Sequence, residues 1–223
     1  RYRSSKLNIG NFKLFELLIN KLQIPQRWKQ RLIKFFWNEK YFSELLKRLE
    51  SNLDIDPVAV AGDKKMYSKM IKLNQKKIIN GRSYKEIIKR FESKINDPRQ
   101  SETGKKSAKI IKEFLKIKCS LNNAPNILNK FFKKYDLNIF VNKDYFPIKN
   151  LKIKDTKFEF STSIGRGREV EFYNSLIFSL DVKKKNKFVN LISGGRFDEL
   201  TSKYLGLKKV PAVGAAVNLS NYE

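Results

Sequence analysis

Apolar residues in the first 50 positions recur every three or four residues and are separated by lysine-rich polar positions. This spacing places apolar side chains on one face of an α-helix. It predicts a helix over residues 12–22 with Asn11 as its N-cap, and two more helices over residues 28–36 and 42–49. We interpret the aromatic residues on these faces as core positions, because the opposite faces are polar.

The helical pattern weakens after residue 58 and resumes at residue 83. An Ala-Gly-Asp sequence at 61–63 and an Asn-Gly sequence at 80–81 predict turns. Ser83 and Glu86 then have the spacing of a capping box, in which the two side chains accept from two free backbone N–H groups at a helix start. A helix is therefore predicted to begin beside Ser83.

The following stretch is polar, and the helical spacing returns twice before residue 136. Residues 97–106 hold polar side chains with one proline and one glycine, which predicts an exposed loop. Apolar positions within 108–115 and 127–132 predict two further helices. Residues 1–136 are thus expected to be a mainly helical part.

After Asp136 the pattern changes to one that favours strands. Short strands are predicted at 138–141 and 157–161. Residues 172–182 and 188–193 predict a β-hairpin whose lysine-rich connection is longer than the favoured two-residue turn.

The hairpin is followed by two glycines and two more predicted elements. Gly194 and Gly195 are expected to allow the chain to leave the hairpin sharply. Residues 198–205 predict a short helix, and the wholly apolar residues 211–217 predict a strand inside a sheet. Residues 137–223 are therefore expected to hold an antiparallel sheet, and the chain as a whole to be of the α+β class.

The composition is strongly basic, with 48 Lys and Arg against 22 Asp and Glu and a formal net charge of +26. A basic surface often binds a phosphate-rich partner. Here the basic residues are spread over the whole chain, and lysine, asparagine and isoleucine are all abundant, as biased codon usage would give. The tightest lysine run, at 183–187, lies between two apolar strands, where a solvated hairpin tip is the default. We favour composition bias over a nucleic-acid site.

The residue types present exclude several classes of site. The chain has no histidine, which excludes Ser-His-Asp and Cys-His catalysis and histidine-ligated metals, and its one cysteine, Cys119, excludes an intramolecular disulfide. No cofactor is implied. No apolar run approaches the ~20 residues of a membrane span, so we expect a cytoplasmic protein without a membrane partner. The start at Arg1 and the end at Glu223 suggest a fragment of a longer protein.

Residues with binding chemistry concentrate in the last third of the chain. Arg168 suits a carboxylate or a phosphate, because a guanidinium pairs with either through two hydrogen bonds. Glu171 suits an ammonium or an imidazole N–H, and Tyr173 offers a hydroxyl on the same side of an extended strand. Gly194 and Gly195 would let a ligand approach the backbone. Each motif alone is better explained as a surface ion pair or a glycine turn, but together they predict a small-molecule pocket.

These motifs resemble signatures of histidyl-tRNA synthetases. Residues 167–175 (GREVEFYNS) resemble the family sequence RGLDYYTG, and residues 194–198 (GGRFD) resemble GGRYD. Residues 211–214 (PAVG) resemble the opening of motif 3 of class II synthetases. The same signatures occur in the synthetase-like regulatory subunit of ATP phosphoribosyltransferase, which acts in histidine biosynthesis.

Two observations favour the regulatory subunit over a synthetase. Residues 9–15, 22–28 and 80–91 resemble stretches of that family, so the resemblance covers nearly the whole chain. The motif 3 arginine that binds the ATP phosphates would fall at Asn221, and the glycine that follows the signature arginine is replaced by Glu169. Without that arginine, adenylate formation loses a principal stabiliser of the developing charge.

The resemblance implies a class II synthetase-like antiparallel sheet with a helical insertion. It implies a non-catalytic subunit that supports a short-form catalytic subunit, contributes to feedback by free histidine and self-associates as a synthetase-like dimer. Motifs 1 and 2 of the family would precede residue 1. The candidate histidine-binding residues are Arg168, Glu171, Phe172, Tyr173, Gly194, Gly195 and Phe197. Phe197 replaces a tyrosine of the family, so one hydroxyl contact to the ligand would be absent.

Two alternatives stay open at this point. A divergent histidyl-tRNA synthetase fragment would be a tRNA ligase, identified by an upstream motif 2 arginine and a C-terminal anticodon-binding domain. A basic nucleic-acid-binding module would lose affinity steeply with added salt, because each neutralised phosphate releases counterions.

Overall fold

The computed structural model describes residues 4–51, 57–73, 78–79, 81–95, 102–146, 151, 153–167, 172–206 and 210–221. The helices are α1 (Phe12–Lys21), α2 (Gln26–Lys34), α3 (Glu39–Glu50), α4 (Pro57–Leu73), α5 (Tyr84–Ile95), α6 (Glu102–Leu115), α7 (Ala124–Lys134) and α8 (Asp198–Leu205). The strands are β1 (Ser5–Asn11), β2 (Ile78–Ile79), β3 (Arg82–Ser83), β4 (Lys118–Ser120), β5 (Thr156–Ser161), β6 (Leu176–Lys184), β7 (Lys187–Arg196) and β8 (Val213–Val217).

Six of these strands form one sheet, in the order β4-β5-β1-β6-β7-β8. All neighbouring pairs are antiparallel except β1 and β5, which are parallel. Between β1 and β4 the described chain consists of helices α1 to α6 and the two-stranded β2-β3 ladder. The predicted α+β class, with a helical insertion in a mostly antiparallel sheet, is confirmed.

Contacts divide the chain into two compact units. The first comprises Arg1–Lys21, Phe36–Glu39 and Ile110–Glu223, and the second comprises Leu22–Phe35 and Lys40–Lys109. The six-stranded sheet therefore belongs to the first unit, whereas α2, α4 and α5 belong to the second. The division of the chain that the sequence predicts after residue 136 stays a prediction.

The core of the first unit is rich in aromatic rings. Ile9 on β1, Leu14 and Phe15 on α1, and Phe160 on β5 are at most 1% exposed. The Phe15 ring centroid lies 4.4 Å from that of Phe36. Apolar burial of this kind stabilises a fold by roughly 1.5–3 kcal/mol for each such side chain.

The predicted starts of two helices are confirmed by their hydrogen bonds. Asn11 Oδ1 accepts from the Lys13 N–H at 3.0 Å, as an N-cap does at the start of α1. Ser83 N–H donates to Glu86 Oε2 at 2.9 Å and Glu86 N–H donates to Ser83 Oγ at 3.3 Å, which completes the capping box of α5. Local sequence therefore specifies both helix starts.

Two predictions in the helical part are wrong. Residues 61–63 lie inside α4 rather than in a turn. Tyr84 Oη donates to the Met70 carbonyl oxygen at 2.9 Å, and Lys94 forms an ion pair with Asp63 at 3.2 Å, so α4 is fixed by contacts with α5. The predicted loop at 97–106 is also wrong from Glu102 onward, where α6 begins; residues 96–101 lie outside the described part.

Residues 138–141 form no strand, contrary to prediction. The Val141 N–H donates to Asn129 Oδ1 at 2.8 Å, and Asn129 Nδ2 donates to the Val141 carbonyl oxygen at 2.9 Å. A side-chain amide on α7 thus satisfies the backbone groups that a neighbouring strand would otherwise pair.

The β6-β7 hairpin is tighter than predicted. Lys184 pairs with Lys187, which leaves a two-residue turn, and Lys185 adopts a left-handed φ of 53°. Gly194 and Gly195 do not form a sharp exit, because both lie within β7 and pair with Phe178 and Ile177. The chain leaves the sheet only after Arg196.

The strand β8 lies at an edge of the described sheet, so its predicted interior position is wrong. Val213 is 76% exposed and Val217 is 51% exposed. The residues between them are Gly214, Ala215 and Ala216, which carry little apolar surface. The strand therefore tolerates an edge position although its sequence is wholly apolar. No described helix is long and apolar enough to cross a membrane.

Candidate functional site

An aromatic cluster forms at the end of the sheet where β6 begins and β7 ends. The Phe172 ring centroid lies 4.5 Å from that of Tyr173 and 5.8 Å from that of Phe197, and the Tyr173 and Phe197 centroids are 6.2 Å apart. The structure thus brings together three of the predicted pocket residues. Tyr173 is buried, whereas Phe172 is 39% exposed.

Two glycines make room for this cluster. A methyl group on Gly195 would lie 2.7 Å from Tyr173 Cδ1, and one on Gly214 would lie 3.1 Å from Phe197 Cε1. Each ring therefore covers a glycine on the same face of the sheet. Burial raises the pKa of the Tyr173 hydroxyl, so this group is a neutral hydrogen-bonding group at physiological pH.

Gly194 faces the opposite side of the sheet, because successive residues of a strand alternate. A methyl group there would lie 2.6 Å from Phe178 Cζ. Of the two candidate glycines, only Gly195 adjoins the aromatic cluster.

Arg168 and Glu171 lie outside the described residues, but the segment that precedes them is anchored. Arg166 Nε donates to the Phe36 carbonyl oxygen at 3.2 Å, and its guanidinium carbon lies 5.6 Å from the Phe36 ring centroid. Burial lowers the pKa of Arg166, an effect that nearby Glu39 opposes. Gly167 N–H donates to the Trp37 carbonyl oxygen at 3.0 Å. The two residues that precede Arg168 are therefore held in place by hydrogen bonds.

Asp198 fixes the other side of the cluster. Its carboxylate accepts from Arg196 Nε at 2.8 and 2.9 Å and from the Ala212 N–H at 2.9 Å. Burial alone would raise the pKa of Asp198, but these hydrogen bonds hold it below its usual value. The GGRFD motif thus includes a carboxylate that joins the end of β7 to the start of β8.

A row of polar side chains lies beside the cluster on the same face of the sheet. Asn8 on β1 is in register with Ser179 on β6 and with Glu159 on β5, and Ser179 is in register with Ser193 on β7. Ser193 is two residues from Gly195, so both face the same side. We call Glu159, Asn8, Ser179 and Ser193 the polar row.

Hydrogen bonds connect the polar row to neighbouring polar groups. Asn8 Nδ2 donates to Asp181 Oδ2 at 2.7 Å, and Asn190 Nδ2 donates to Asp181 Oδ1 at 3.0 Å. Ser193 Oγ donates to Asn190 Oδ1 at 2.8 Å. Networks of this kind hold polar groups in fixed orientations.

None of these polar residues is among the site residues predicted from the sequence. The sequence of β6 does carry a signal for them, because Ser179 and Asp181 interrupt the apolar residues of 176–182 at alternate positions. Polar residues on the inward face of a predicted strand indicate either a network or a ligand.

The arrangement is suited to binding. It offers aromatic surface, the Tyr173 hydroxyl and oriented amide and hydroxyl groups, which are the components of many small-molecule sites. Within the described residues, no group of three or more His, Cys, Asp or Glu side chains is placed to hold a metal ion.

Comparison with known proteins gives a consistent family of relatives. No protein-family model matches the chain. The ATP phosphoribosyltransferase regulatory subunit of Allorhizobium ampelinum is 28% identical over 234 residues, covering 96% of this chain and 61% of the relative. The protein of the same name from Rhizobium johnstonii is 27% identical over 237 residues, covering 99% of this chain and 62% of the relative. The chain thus spans about three-fifths of the length of these relatives.

Solved structures can be superposed on nearly the whole chain, but their structural similarity to it is low. A histidyl-tRNA synthetase from a Nostoc species aligns with a TM-score of 0.46 and 16% identity over 98% of this chain and 41% of its own. An ATP phosphoribosyl transferase complex from Thermotoga maritima aligns with a TM-score of 0.36 and 13% identity over 96% of this chain and 53% of its own. The resemblance predicted from the motifs is confirmed by the sequence relatives: over nearly its whole length, this chain is similar to ATP phosphoribosyltransferase regulatory subunits.

Proposed function

We propose that this chain belongs to a non-catalytic regulatory subunit of ATP phosphoribosyltransferase. It would assemble with a short-form catalytic subunit, support its activity in histidine biosynthesis and contribute to feedback by histidine. The observation that carries this proposal is the 28% identity to a regulatory subunit over 96% of the chain.

The environment of Asn221 supports a non-catalytic role. This residue stands where the resemblance places the phosphate-binding arginine of motif 3. Asn221 Nδ2 donates to the Asn190 carbonyl oxygen at 2.8 Å. An amide held by the backbone of β7 lacks the positive charge that stabilises a transferring phosphoryl group. This observation disfavours the alternative of a tRNA ligase.

The proposed histidine site combines the aromatic cluster with the Arg168 motif. Tyr173, which packs on Gly195, and Phe197 would line one side of the ligand, while Arg168 would pair with its carboxylate and Glu171 with its ammonium or imidazole N–H. Phe172 would form the exposed rim, whereas Gly194 lies on the opposite face of the sheet, beside Phe178. Feedback requires that histidine bind the inhibited arrangement of the assembly more tightly than the active one.

Isothermal titration calorimetry with histidine tests the site. Arg168→Ala should abolish measurable binding while leaving the far-ultraviolet circular dichroism spectrum unchanged. Arg48→Ala, on the surface of α3 where Arg48 is 4.0 Å from Glu44, is the matched control and should bind as the unmodified protein does.

An activity assay tests the assembly itself. Adding the protein to the short-form catalytic subunit from the same source should raise its activity, and histidine should lower it. Charging of tRNA with histidine by the protein would overturn the proposal in favour of the synthetase alternative. Activation without histidine binding would keep the scaffolding role and refute the histidine site.

A further inference from the structure

The chain on both sides of Arg168 and Glu171 is attached to one buried aromatic group. Phe12, Phe36 and Trp37 are 7%, 1% and 3% exposed, and the Phe12 ring centroid lies 5.1 Å from that of Phe36 and 5.0 Å from that of Trp37. We call these three residues the aromatic floor; all of them belong to the first compact unit. Side chains packed in a protein interior keep fixed positions, so the aromatic floor is a rigid support.

Arg166 and Gly167 attach the chain to the aromatic floor immediately before Arg168. Arg166 Nε donates to the Phe36 carbonyl oxygen at 3.2 Å, and its guanidinium carbon lies 5.6 Å from the Phe36 ring centroid. The Gly167 N–H donates to the Trp37 carbonyl oxygen at 3.0 Å. A cation over a ring and a hydrogen bond to the same residue fix both the position and the direction of the Arg166 side chain.

The backbone of Gly167 has a conformation that suits this attachment. Its φ is 76°, in the left-handed region that residues with side chains rarely adopt. A methyl group at this position would also lie 3.1 Å from Glu39 Oε2, at the start of α3. A glycine therefore allows the N–H to reach the Trp37 carbonyl oxygen.

The chain is attached again after Glu171. The Phe12 N–H, on the aromatic floor, donates to the Ser175 carbonyl oxygen at 2.9 Å, and the Asn174 N–H donates to the Arg196 carbonyl oxygen at 3.0 Å. Residues 168–173 therefore lie between two anchored points of the chain. Anchoring a short segment at both ends limits the positions that its side chains can reach.

Packing alone does not explain an arginine at position 166. Burial lowers the pKa of Arg166, which means that it disfavours the charged form. An apolar side chain would cover the Phe36 ring without this penalty. What the arginine adds is a directed hydrogen bond from the chain that precedes Arg168 to the backbone of the aromatic floor.

We propose that Arg166 is a positioning residue for recognition of the ligand's carboxylate. By holding the chain against the aromatic floor, it places Arg168 so that the Arg168 guanidinium meets the carboxylate of bound histidine. The inference rests on the histidine site proposed above. Pairing of a guanidinium with a carboxylate through two hydrogen bonds has strict geometry, so a displacement of about 1 Å removes much of its benefit.

The contacts to the rest of the ligand depend less on Arg166. Tyr173 is held by its packing on Gly195, and Glu171 is closer along the chain to the anchored Asn174 than to Arg166. Loss of Arg166 should therefore weaken the carboxylate contact more than the contacts to the imidazole and the ammonium group.

The test compares histidine with histamine, which has the same imidazole and amine but no carboxylate. Isothermal titration calorimetry gives both dissociation constants, and the ratio of the histamine constant to the histidine constant is the histidine preference. Arg166→Ala is the test variant. Arg31→Ala is the matched control, because the Arg31 guanidinium carbon also lies 5.6 Å from a ring centroid, that of Trp28, and its Nη2 donates to Tyr41 Oη at 2.8 Å.

Arg166→Ala should bind histidine at least about tenfold more weakly, which corresponds to about 1.4 kcal/mol, and should bind histamine within about threefold of the unmodified protein. Arg31→Ala should bind both ligands as the unmodified protein does. Equal weakening of both ligands by Arg166→Ala would show a purely structural role, and an unchanged histidine affinity would show no role. Either result would overturn the inference.

Gly167→Ala decides the question if Arg166→Ala does not fold. It removes no side-chain contact but displaces the N–H that bonds to Trp37. Gly81→Ala is its control, because Gly81 has a similar φ of 75° and an added methyl group there meets no atom within 4 Å. Gly167→Ala should lower the histidine preference about tenfold, in line with the loss of one charge-assisted contact, and Gly81→Ala should leave it unchanged. The same preference in both variants would refute the positioning role.

The measurements on the unmodified protein separate this inference from the proposed function. If that protein binds no histidine, the proposed site fails, and this inference fails with it. If it binds histidine and histamine equally tightly, a site for the imidazole and amine exists without a carboxylate contact, and the positioning role of Arg166 is refuted by itself.

Discussion

Replacement of Gly195 by alanine tests whether the glycine of the GGRFD motif is required by the aromatic cluster. A methyl group at this position would lie 2.7 Å from the Leu176 carbonyl oxygen and 2.7 and 2.9 Å from Tyr173 Cδ1 and Cε1. Favourable contacts between such atoms lie at about 3.5–4.0 Å. The Tyr173 ring or the β6-β7 pairing must therefore shift by several tenths of an ångström.

The expected cost follows from which atoms can move. The Leu176 oxygen belongs to the backbone of the neighbouring strand, so rotation of a side chain cannot relieve that contact. Overpacking of a well-packed site costs about 1–3 kcal/mol, and we expect Gly195→Ala to lie in the upper part of this range. For a protein of this size, 1 kcal/mol lowers the melting temperature by about 2–4 °C.

The free energy of unfolding is measured by urea denaturation followed by far-ultraviolet circular dichroism. The matched control is Gly62→Ala in α4, where a methyl group meets no atom within 4 Å. Alanine in place of an exposed helical glycine should stabilise by about 0.5–1 kcal/mol. The two substitutions add the same atoms and are expected to have opposite signs.

A double-mutant cycle separates the ring from the backbone contact. In a Tyr173→Ala background the cost of Gly195→Ala should fall, because one of the two close contacts is gone, but should not vanish. A Gly195→Ala protein as stable as the unmodified one would show that the ring does not rest on this glycine, and the packing argument would be refuted.

Three further predictions concern other parts of the fold. Ser83→Ala should destabilise the protein by about 1 kcal/mol, because α5 loses its capping box, and a cost near zero in urea denaturation would show that tertiary contacts alone fix this helix. Phe132→Ala, at a fully buried position of α7, should cost about 3–5 kcal/mol, whereas Ile127→Ala on the same helix, where the side chain is 36% exposed, should cost much less; similar costs would contradict the assigned core. The Lys157 hydrogen bond, and then Lys118, hold the pKa of Glu159 below its usual value against the effect of burial. Glu159 in its charged form therefore stabilises the fold above its unfolded-state pKa, and this contribution is lost as the pH falls through the lower folded-state pKa. Because both lysines are exposed, Glu159→Gln should cost no more than about 1 kcal/mol at pH ~7, and this cost should shrink as the pH falls through the folded-state pKa of Glu159. A cost that does not change with pH would contradict the ion pairs.

Elements with local signals could be predicted from the sequence. The N-cap at Asn11, the capping box at Ser83 and the helix over Asp198–Leu205 depend on residues within one helical turn of each other, and all three are confirmed. The grouping of Tyr173 with Phe197 followed from a resemblance to known motifs, and the ring contacts confirm it.

Elements fixed by distant contacts could not be predicted. The helix α4 contains Gly62 in a weak apolar pattern, and it depends on its contacts with α5. The polar row consists of residues from β1, β5, β6 and β7. These residues can be recognised as neighbours only when the register of the four strands is known. The edge position of β8 is not visible in its sequence either, because an apolar strand gives the same pattern with one neighbour or with two.

The most direct test of the proposed regulatory role is co-purification with the short-form catalytic subunit, with and without histidine. The two proteins should elute together in size-exclusion chromatography, and histidine should change the activity or the elution position of the complex. Separate elution of two well-folded proteins under both conditions would contradict the proposed function.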